Sequence, residues 1–314
     1  MNRIALFSFY DNQGTVDNYV IYLLDEIKKY CSEIHCIVNG FLTEESEAKL
    51  KNICNSVTTR ENKGFDAWGY KTLMEKLGYD KLKEFDETLC FNHTCFAPID
   101  SFEPMFSKME SEECDFWGLY FVKAPGRKIY NQGTHIPSYF VAYRKSLTEK
   151  PEFKEFWNNL PEITNYDNAV KFYEQSQTPF FEGKGFKVKA AFDLSKYENL
   201  SEWWFLEYQA EMLIEDKLPL LKRRPFFRDK YGVNGKFYKK VLPYIKSNTN
   251  YDVKLILENI ERTQKISEIK PLSLAKNMWY KFLSKFSLSA KKRKKYKDRC
   301  EMNISKEELM NLFL

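Results

Sequence analysis

The chain lacks the marks of several protein classes. It has seven cysteines, an odd number, and none is spaced as CxxC, so neither a disulfide framework nor a zinc ribbon is indicated. Several of them (Cys31, Cys36, Cys54, Cys90, Cys95, Cys114 and Cys300 are the full set) sit in apolar runs, where a thiol acts as a small hydrophobe and suits a reducing compartment. No run of about 18 apolar residues occurs, so no bilayer-spanning helix is expected. The start, Met1-Asn2-Arg3 followed by Ile4 to Tyr10, reads as a strand and not as a secretory leader. No internal repeat appears, and histidine is scarce, with His35, His93 and His135 only.

What is present points to an ordinary folded enzyme-sized chain. Of 314 residues, 43% are hydrophobic and 17% aromatic, enough for a substantial core and too apolar for a disordered protein. The net charge of +5 hides an uneven distribution, because Lys291-Lys292-Arg293-Lys294-Lys295-Tyr296-Lys297 concentrates cations near the end. Such a block favours an anionic surface, lipid or nucleic acid.

Short apolar runs alternate with helical periodicity over the first hundred residues. Strands are expected at Ile4 to Phe9, Glu33 to Val38, Val57 to Thr59 and Glu87 to Asn92; helices at Val16 to Tyr30, Glu44 to Ile53 and Lys71 to Leu77. That alternation predicts an α/β fold with a largely parallel sheet. Asp115 to Tyr120 and Ser138 to Arg144 read as strands around a polar loop holding Gly126, Asn131 and Gly133. Helices at Phe153 to Leu160 and Asn168 to Phe181 precede a strand at Phe186 to Phe192. Beyond residue 200 the pattern is mostly helical, with Trp203 to Ile214, Val253 to Arg262 and Leu274 to Phe286. The expected organisation is therefore a catalytic-type domain over 1–200, a helical extension over 201–270 and a tail over 271–314.

Ligands of open α/β sheets bind at the C-terminal ends of the strands, and the polar residues predicted there are the candidates. In Arg60-Glu61-Asn62-Lys63-Gly64-Phe65-Asp66 a strand delivers Asn62, Gly64 and Asp66 to the start of a helix, where phosphate is favoured. The same segment also serves as a plain helix entry. Tyr10 and Asp11 close the first strand, placed to stack on a base and accept from its ring N–H; Asp11 and Asp17 equally suit turn capping. Asn92 and His93 end the fourth strand, where imidazole is an acceptable metal ligand and a hydrogen-bonded strand-end histidine is the plainer reading. His135 enters a later strand, whereas His35, inside the second, reads as structural. Glu174, among aromatics at a helix start, suits a base with a raised pKa, or simply a surface acid. Lys222 and Arg223, in Pro219-Leu220-Leu221-Lys222-Arg223, could neutralise a diphosphate or touch lipid head groups, and a solvated face beside a helix end is the commoner explanation.

In combination, these segments resemble the rhamnan synthesis protein F family of glycosyltransferases. The resemblance is carried by Phe9-Tyr10-Asp11, Val16-Asp17-Asn18-Tyr19-Val20, Arg60 to Asp66, Phe91-Asn92-His93-Thr94-Cys95-Phe96-Ala97-Pro98 and Asp115-Phe116-Trp117-Gly118-Leu119. It continues through His135-Ile136-Pro137-Ser138-Tyr139-Phe140, Phe153 to Trp157, Tyr173-Glu174 with Gly185-Phe186, Pro219 to Arg223 and Asn250 to Ile256. It implies a GT-A-like, Rossmann-type mixed sheet flanked by helices, and a nucleotide-diphosphate sugar donor, commonly dTDP-L-rhamnose. It also implies a lipid-linked cell-surface polysaccharide as acceptor. Donor contacts would fall on Tyr10, Asp11, Asn62, Gly64, Asp66, Asn92 and His93; acceptor or diphosphate contacts on His135, Tyr139, Lys222 and Arg223; and the catalytic base on Glu174. Inversion at the anomeric carbon would need that one base and no covalent intermediate.

Two positions depart from the family. Asn92-His93-Thr94 stands where the family has Asn-Asp-Ser, removing an acidic metal ligand. Either His93 holds a divalent metal (Mg or Mn), or Lys63, Arg127, Lys222 or Arg223 neutralises the leaving diphosphate. Pro137 replaces a Gln. The expected placement is cytoplasmic, peripheral on the inner face of the bacterial plasma membrane, with the amphipathic Met278 to Phe286 and the basic block against an anionic bilayer. Use of another nucleotide sugar and a catalytically silent scaffold are the alternatives. Nucleic acid is not an expected partner, because the cations sit at one end and no binding module is visible.

Overall fold

A computed structural model describes residues 1–123, 134–197, 207–227, 237–264 and 274–287, with 289, 292, 293, 296 and 311. Arg127, the loop glycines 126 and 133, Asn131, the start of the helix expected from Trp203, Cys300 and most of the basic block lie outside these residues. The chain divides into two compact units. The first comprises residues 1–93 and 102–194, the second 94–101 and 195–314.

The first unit is built on seven strands. They are β1 (Arg3–Phe9), β2 (Glu33–Asn39), β3 (Ser56–Arg60), β4 (Glu87–Asn92), β5 (Phe116–Gly118), β6 (Phe140–Arg144) and β7 (Val188–Ala190). Their order is β7-β5-β6-β4-β1-β2-β3. β1 pairs in parallel with β2 and β4, and β2 with β3. β6 runs antiparallel to both neighbours, and β7 is parallel to β5. The 3-2-1-4 run is the arrangement of Rossmann-type nucleotide-binding halves, and the antiparallel β6 makes the sheet mixed. The expected mixed, mainly parallel sheet with flanking helices is the one observed.

Every side chain of β1 is buried, as befits a central parallel strand covered on both faces. Helix α1 (Asn18–Ile27) turns Tyr19, Val20, Leu23, Leu24 and Ile27 inward at helical spacing. Thr43 caps α2 (Glu44–Ile53) by accepting from the Ser46 amide at 3.2 Å. Helix α3 (Phe65–Leu77) lies close on the sheet at Gly69, where a Cβ would stand 3.2 Å from Ile37 and 3.3 Å from Ser8. A larger residue at 69 would push α3 off the strands that carry the site.

The apolar cluster that includes Ile4, Leu6 and Ile37 of the sheet extends to Tyr70, Tyr143, Phe153, Trp157, Tyr173 and Phe181. Burial raises the Tyr173 and Tyr143 hydroxyls well above the ordinary tyrosine range, and the negative charge of Asp66 adds to it. This cluster supports a helical run of three parts: Tyr166–Ala169, a π-helical turn at Val170–Glu174, and Gln175–Gly183. His35 is structural, as expected, with Nδ1 2.8 Å from Ser56 Oγ and Nε2 2.9 Å from Glu33.

In the second unit Cys95–Phe96 pairs antiparallel with Leu221–Lys222. The helices Glu207–Asp216, Leu242–Asn248, Val253–Gln264 and Leu274–Phe286 account for most of its described residues. No helix among the described residues is long and apolar enough to cross a membrane. Six cysteines are free and buried.

Candidate active site

Because β1 to β4 are parallel, their C-terminal ends emerge at one edge of the sheet, and the antiparallel β6 begins there. Phe91 of β4 faces Phe140 of β6, and the Asn92 amide donates to the Tyr139 carbonyl at 3.3 Å. The residues predicted from separate stretches therefore meet at this edge in two groups.

The first group surrounds the start of α3. Gly64 (φ +72) and Phe65 (φ +57) are both left-handed, a conformation that costs a bulky residue such as Phe about 1–3 kcal/mol. The surroundings impose it. Arg60 at the end of β3 donates to Asn39 Oδ1 at 2.7 Å and to the Lys63 carbonyl at 2.6 Å, while Asn39 Nδ2 donates to the Phe65 carbonyl at 3.2 Å. The result turns Asp66 toward β4, where Asn92 Nδ2 donates to Asp66 Oδ2 at 2.8 Å. Asn62 and Lys63 are exposed on the loop.

Gly64 cannot be replaced cheaply, since a Cβ there would stand 2.4 Å from the Trp68 ring. Gly64→Ala should lower stability by more than about 1 kcal/mol, the scale of an alanine forced to positive φ, and weaken donor binding further by releasing Asp66. Thermal melts with and without nucleotide sugar test both effects; unchanged melting would mean the loop has another accessible conformation.

His93 follows Asn92. Its amide and its Nδ1 both approach the Ser8 carbonyl, at 3.3 and 3.4 Å. A carbonyl only accepts, so this contact suits a ring with a proton on Nδ1. The Phe9 ring meets His93 edge-on at 5.2 Å, and the His93 carbonyl accepts from Tyr19 Oη at 2.9 Å. Among the described residues no three His, Cys, Asp or Glu side chains gather to hold a metal ion. A cation bridged mainly by phosphate oxygens needs only one or two protein ligands.

Tyr10 presents a ring that is 42% exposed, open for stacking. Asp11 is half-buried and builds its own turn: Oδ1 accepts from the amides of Gln13 at 2.9 Å and Thr15 at 3.1 Å. The capping reading is thus the one with visible geometry at Asp11.

The second group centres on Glu174. Its Oε2 accepts from both the amide and the hydroxyl of Ser138, each at 3.0 Å, and His135 Nε2 lies 3.9 Å from Oε1. Glu174 ends the π-helical turn and so lies inside a continuous helical run, not at a helix start as expected. A π turn shifts the register of the following side chains, and such turns concentrate at functional sites. Here it brings the carboxylate to the entry of β6. Tyr139, expected to touch the acceptor, is buried, and its hydroxyl is 2.8 Å from Tyr120 Oη.

Lys222 and Arg223 belong to the second unit. Within it, Lys222 Nζ donates to Thr94 Oγ1 at 2.7 Å, and Arg223 Nε to Asn259 Oδ1 at 3.0 Å. The Arg223 guanidinium also lies over the Phe227 ring at 5.4 Å. Three residues of the first unit's site went unassigned in the sequence reading: Asn39, Arg60 and Ser138. A polar residue ending a parallel strand was the available signal for the first two. Ser138 carried none beyond its place two residues before a strand.

The family described as rhamnan synthesis protein F matches residues 34–303. A Sinorhizobium fredii protein, "Uncharacterized protein y4gN", is 19% identical over 190 residues, 60% of this chain and 48% of its own length. The chain thus spans about half of that curated relative. Among solved structures, S. aureus TarS 1–349 aligns at 10% identity, covering 91% of this chain and 80% of its own, with a TM-score of 0.40. Mouse xyloside xylosyltransferase 1, apo form, aligns at 8% identity, covering 60% and 85%, with a TM-score of 0.34.

Proposed function

The chain belongs to the rhamnan synthesis protein F family of glycosyltransferase-type proteins, and from that membership we propose an inverting glycosyltransferase. It moves a sugar from a nucleotide-diphosphate donor, L-rhamnose from dTDP-L-rhamnose by the family's name, onto a lipid-linked cell-surface polysaccharide. It works as a peripheral enzyme on the inner face of the bacterial plasma membrane. The observation that carries the reading is Glu174, held by two hydrogen bonds from Ser138 at the same sheet edge as the Asp66–Asn92 pair.

In this reading the base of the donor stacks on Tyr10, and its sugar hydroxyls are held by Asp66 and Asn92, whose mutual bond fixes both. The diphosphate faces the first turn of α3, where a helix N-terminus favours anions, with Lys63 on the adjoining loop. Glu174 takes the proton from the acceptor hydroxyl as that oxygen attacks the anomeric carbon. The bond to the leaving diphosphate breaks on the opposite side, so configuration inverts and one base suffices.

A panel of nucleotide sugars, screened by thermal shift with divalent cation and again with chelator, tests this. The expected result is stabilisation by dTDP-L-rhamnose that survives chelation and is lost in Asp66→Ala. Stabilisation by a different donor would revise the sugar. No stabilisation by any donor would leave the scaffold reading in place of the enzyme.

A further inference from the structure

The helix Leu274–Phe286 exposes a row of large apolar side chains. Met278, Trp279, Phe282 and Phe286 are 63, 58, 51 and 67% exposed. The rings form a continuous row, Trp279 stacked on Phe282 at 5.8 Å and Phe282 tilted against Phe286 at 4.8 Å. At 3.6 residues per turn these four positions fall within an arc of about 100°, the width of a helix face that something covers. Lys281 and Lys285 are exposed beside that arc. From Ile269 to Lys297 the sequence has ten Lys or Arg residues and no Asp or Glu.

We propose that this face docks on an anionic lipid bilayer. The helix lies in the headgroup plane with its aromatic row toward the acyl boundary and its lysines among the phosphates. Charge decides between occupants. A second copy would bring its own Lys281 and Lys285, on an equally basic stretch of sequence, against this face, and like charges oppose that contact. A nucleic acid would satisfy the cations, yet the phosphate backbone offers nothing to four adjacent apolar side chains. An anionic bilayer takes both, since apolar area is buried at the acyl boundary while basic side chains meet lipid phosphates. Each basic group near such a surface improves partitioning by roughly fivefold, so ten of them with an aromatic row suffice without a spanning helix. The docking deepens the proposed reaction by naming the surface that meets a lipid-linked acceptor, but its geometry is independent of that reaction.

The test uses the full chain and co-sedimentation with two kinds of vesicle: phosphatidylcholine alone, and phosphatidylcholine mixed with phosphatidylglycerol. The expected result is capture by the anionic vesicles only, weakened by salt. Capture should fall at least about tenfold in Trp279→Glu/Phe282→Glu, whose apolar row is broken, and in Lys281→Glu/Lys285→Glu, which keeps the row and reverses the border. Both variants should keep the melting temperature and the donor-induced thermal shift of the parent. The proposal is overturned if the parent ignores anionic vesicles or if both variants bind them as well as the parent does. It is also overturned if the parent is an oligomer that Trp279→Glu/Phe282→Glu converts to a monomer without any vesicle binding, or if duplex DNA is bound and vesicles are not. Vesicle capture without any donor shift would instead defeat the reaction and leave the docking intact.

Discussion

Glu174→Gln should lower turnover by about 10²–10⁴-fold, the usual range for a lost general base, while donor affinity stays unchanged. The replacement keeps shape and keeps an oxygen where Oε2 now accepts from the Ser138 amide and hydroxyl, so the fold has no reason to loosen. It removes only the ability to take a proton. A loss confined to kcat would identify an interaction that matters in the transition state; a fall in donor affinity would move Glu174 into the donor site instead. Full activity in the variant would remove it as the base. Ser138→Ala gives the graded companion, since one of two donors to the carboxylate is lost and the other, a backbone amide, remains. A hydrogen bond to a charged group is worth about 1.5–3 kcal/mol, so a loss of about 10- to 100-fold is expected.

The parallel half of the fold was legible because buried strands and amphipathic helices write their periods locally. Glu44–Ile53, Glu87–Asn92 and Leu274–Phe286 appear with the bounds read from sequence. Helix α3 begins six residues earlier than expected, at Phe65 instead of Lys71. The glycines at 64 and 69 look like helix breakers, yet one supplies a left-handed entry and the other a close approach to the sheet. The direction of β6 was not readable, because periodicity reports which faces are buried and not which way a strand runs. The pairing of Cys95–Phe96 with Leu221–Lys222 joins residues more than a hundred positions apart, which no local signal announces.

The site divides in the same way. Asp66, Asn92 and Glu174 could be picked out singly from residue type and strand ends. Asn39 and Arg60 carried the same strand-end signal, but the loop they brace and the bonds from Ser138 to Glu174 arise only after the sheet assembles. Glu174 was placed at a helix start, since a π turn within a helix leaves no mark on apolar spacing.

The largest effect on stability should come from Glu87, at the opposite end of the sheet. Its side chain is fully buried at the start of β4. Oε2 accepts from Arg3 Nε at 2.7 Å, Oε1 accepts from Trp117 Nε1 at 2.7 Å, and Arg144 Nε lies 3.0 Å from Oε1. Both guanidiniums are almost wholly buried. Burial works against the Arg3 charge, but Glu87 and Glu110 outweigh it and raise its pKa overall. Glu87→Ala would leave two buried cations facing an empty space and orphan the Trp117 N–H. Breaking a buried pair from one side costs about 3–5 kcal/mol, against a total of about 5–15 kcal/mol for a typical domain. Urea unfolding should therefore show a midpoint displaced far toward zero denaturant. Glu110→Ala is the control, because Glu110 meets the same Arg3 at 2.8 Å from a side chain that is 39% exposed; solvent screening there limits the loss to about 1 kcal/mol. Equal losses from the two variants would mean that the Glu87 network is not the buried anchor of the sheet. A replacement of Arg3, Glu87 and Arg144 together by apolar residues should destabilise less than Glu87→Ala alone, because no charge is then left buried without its counter-ion.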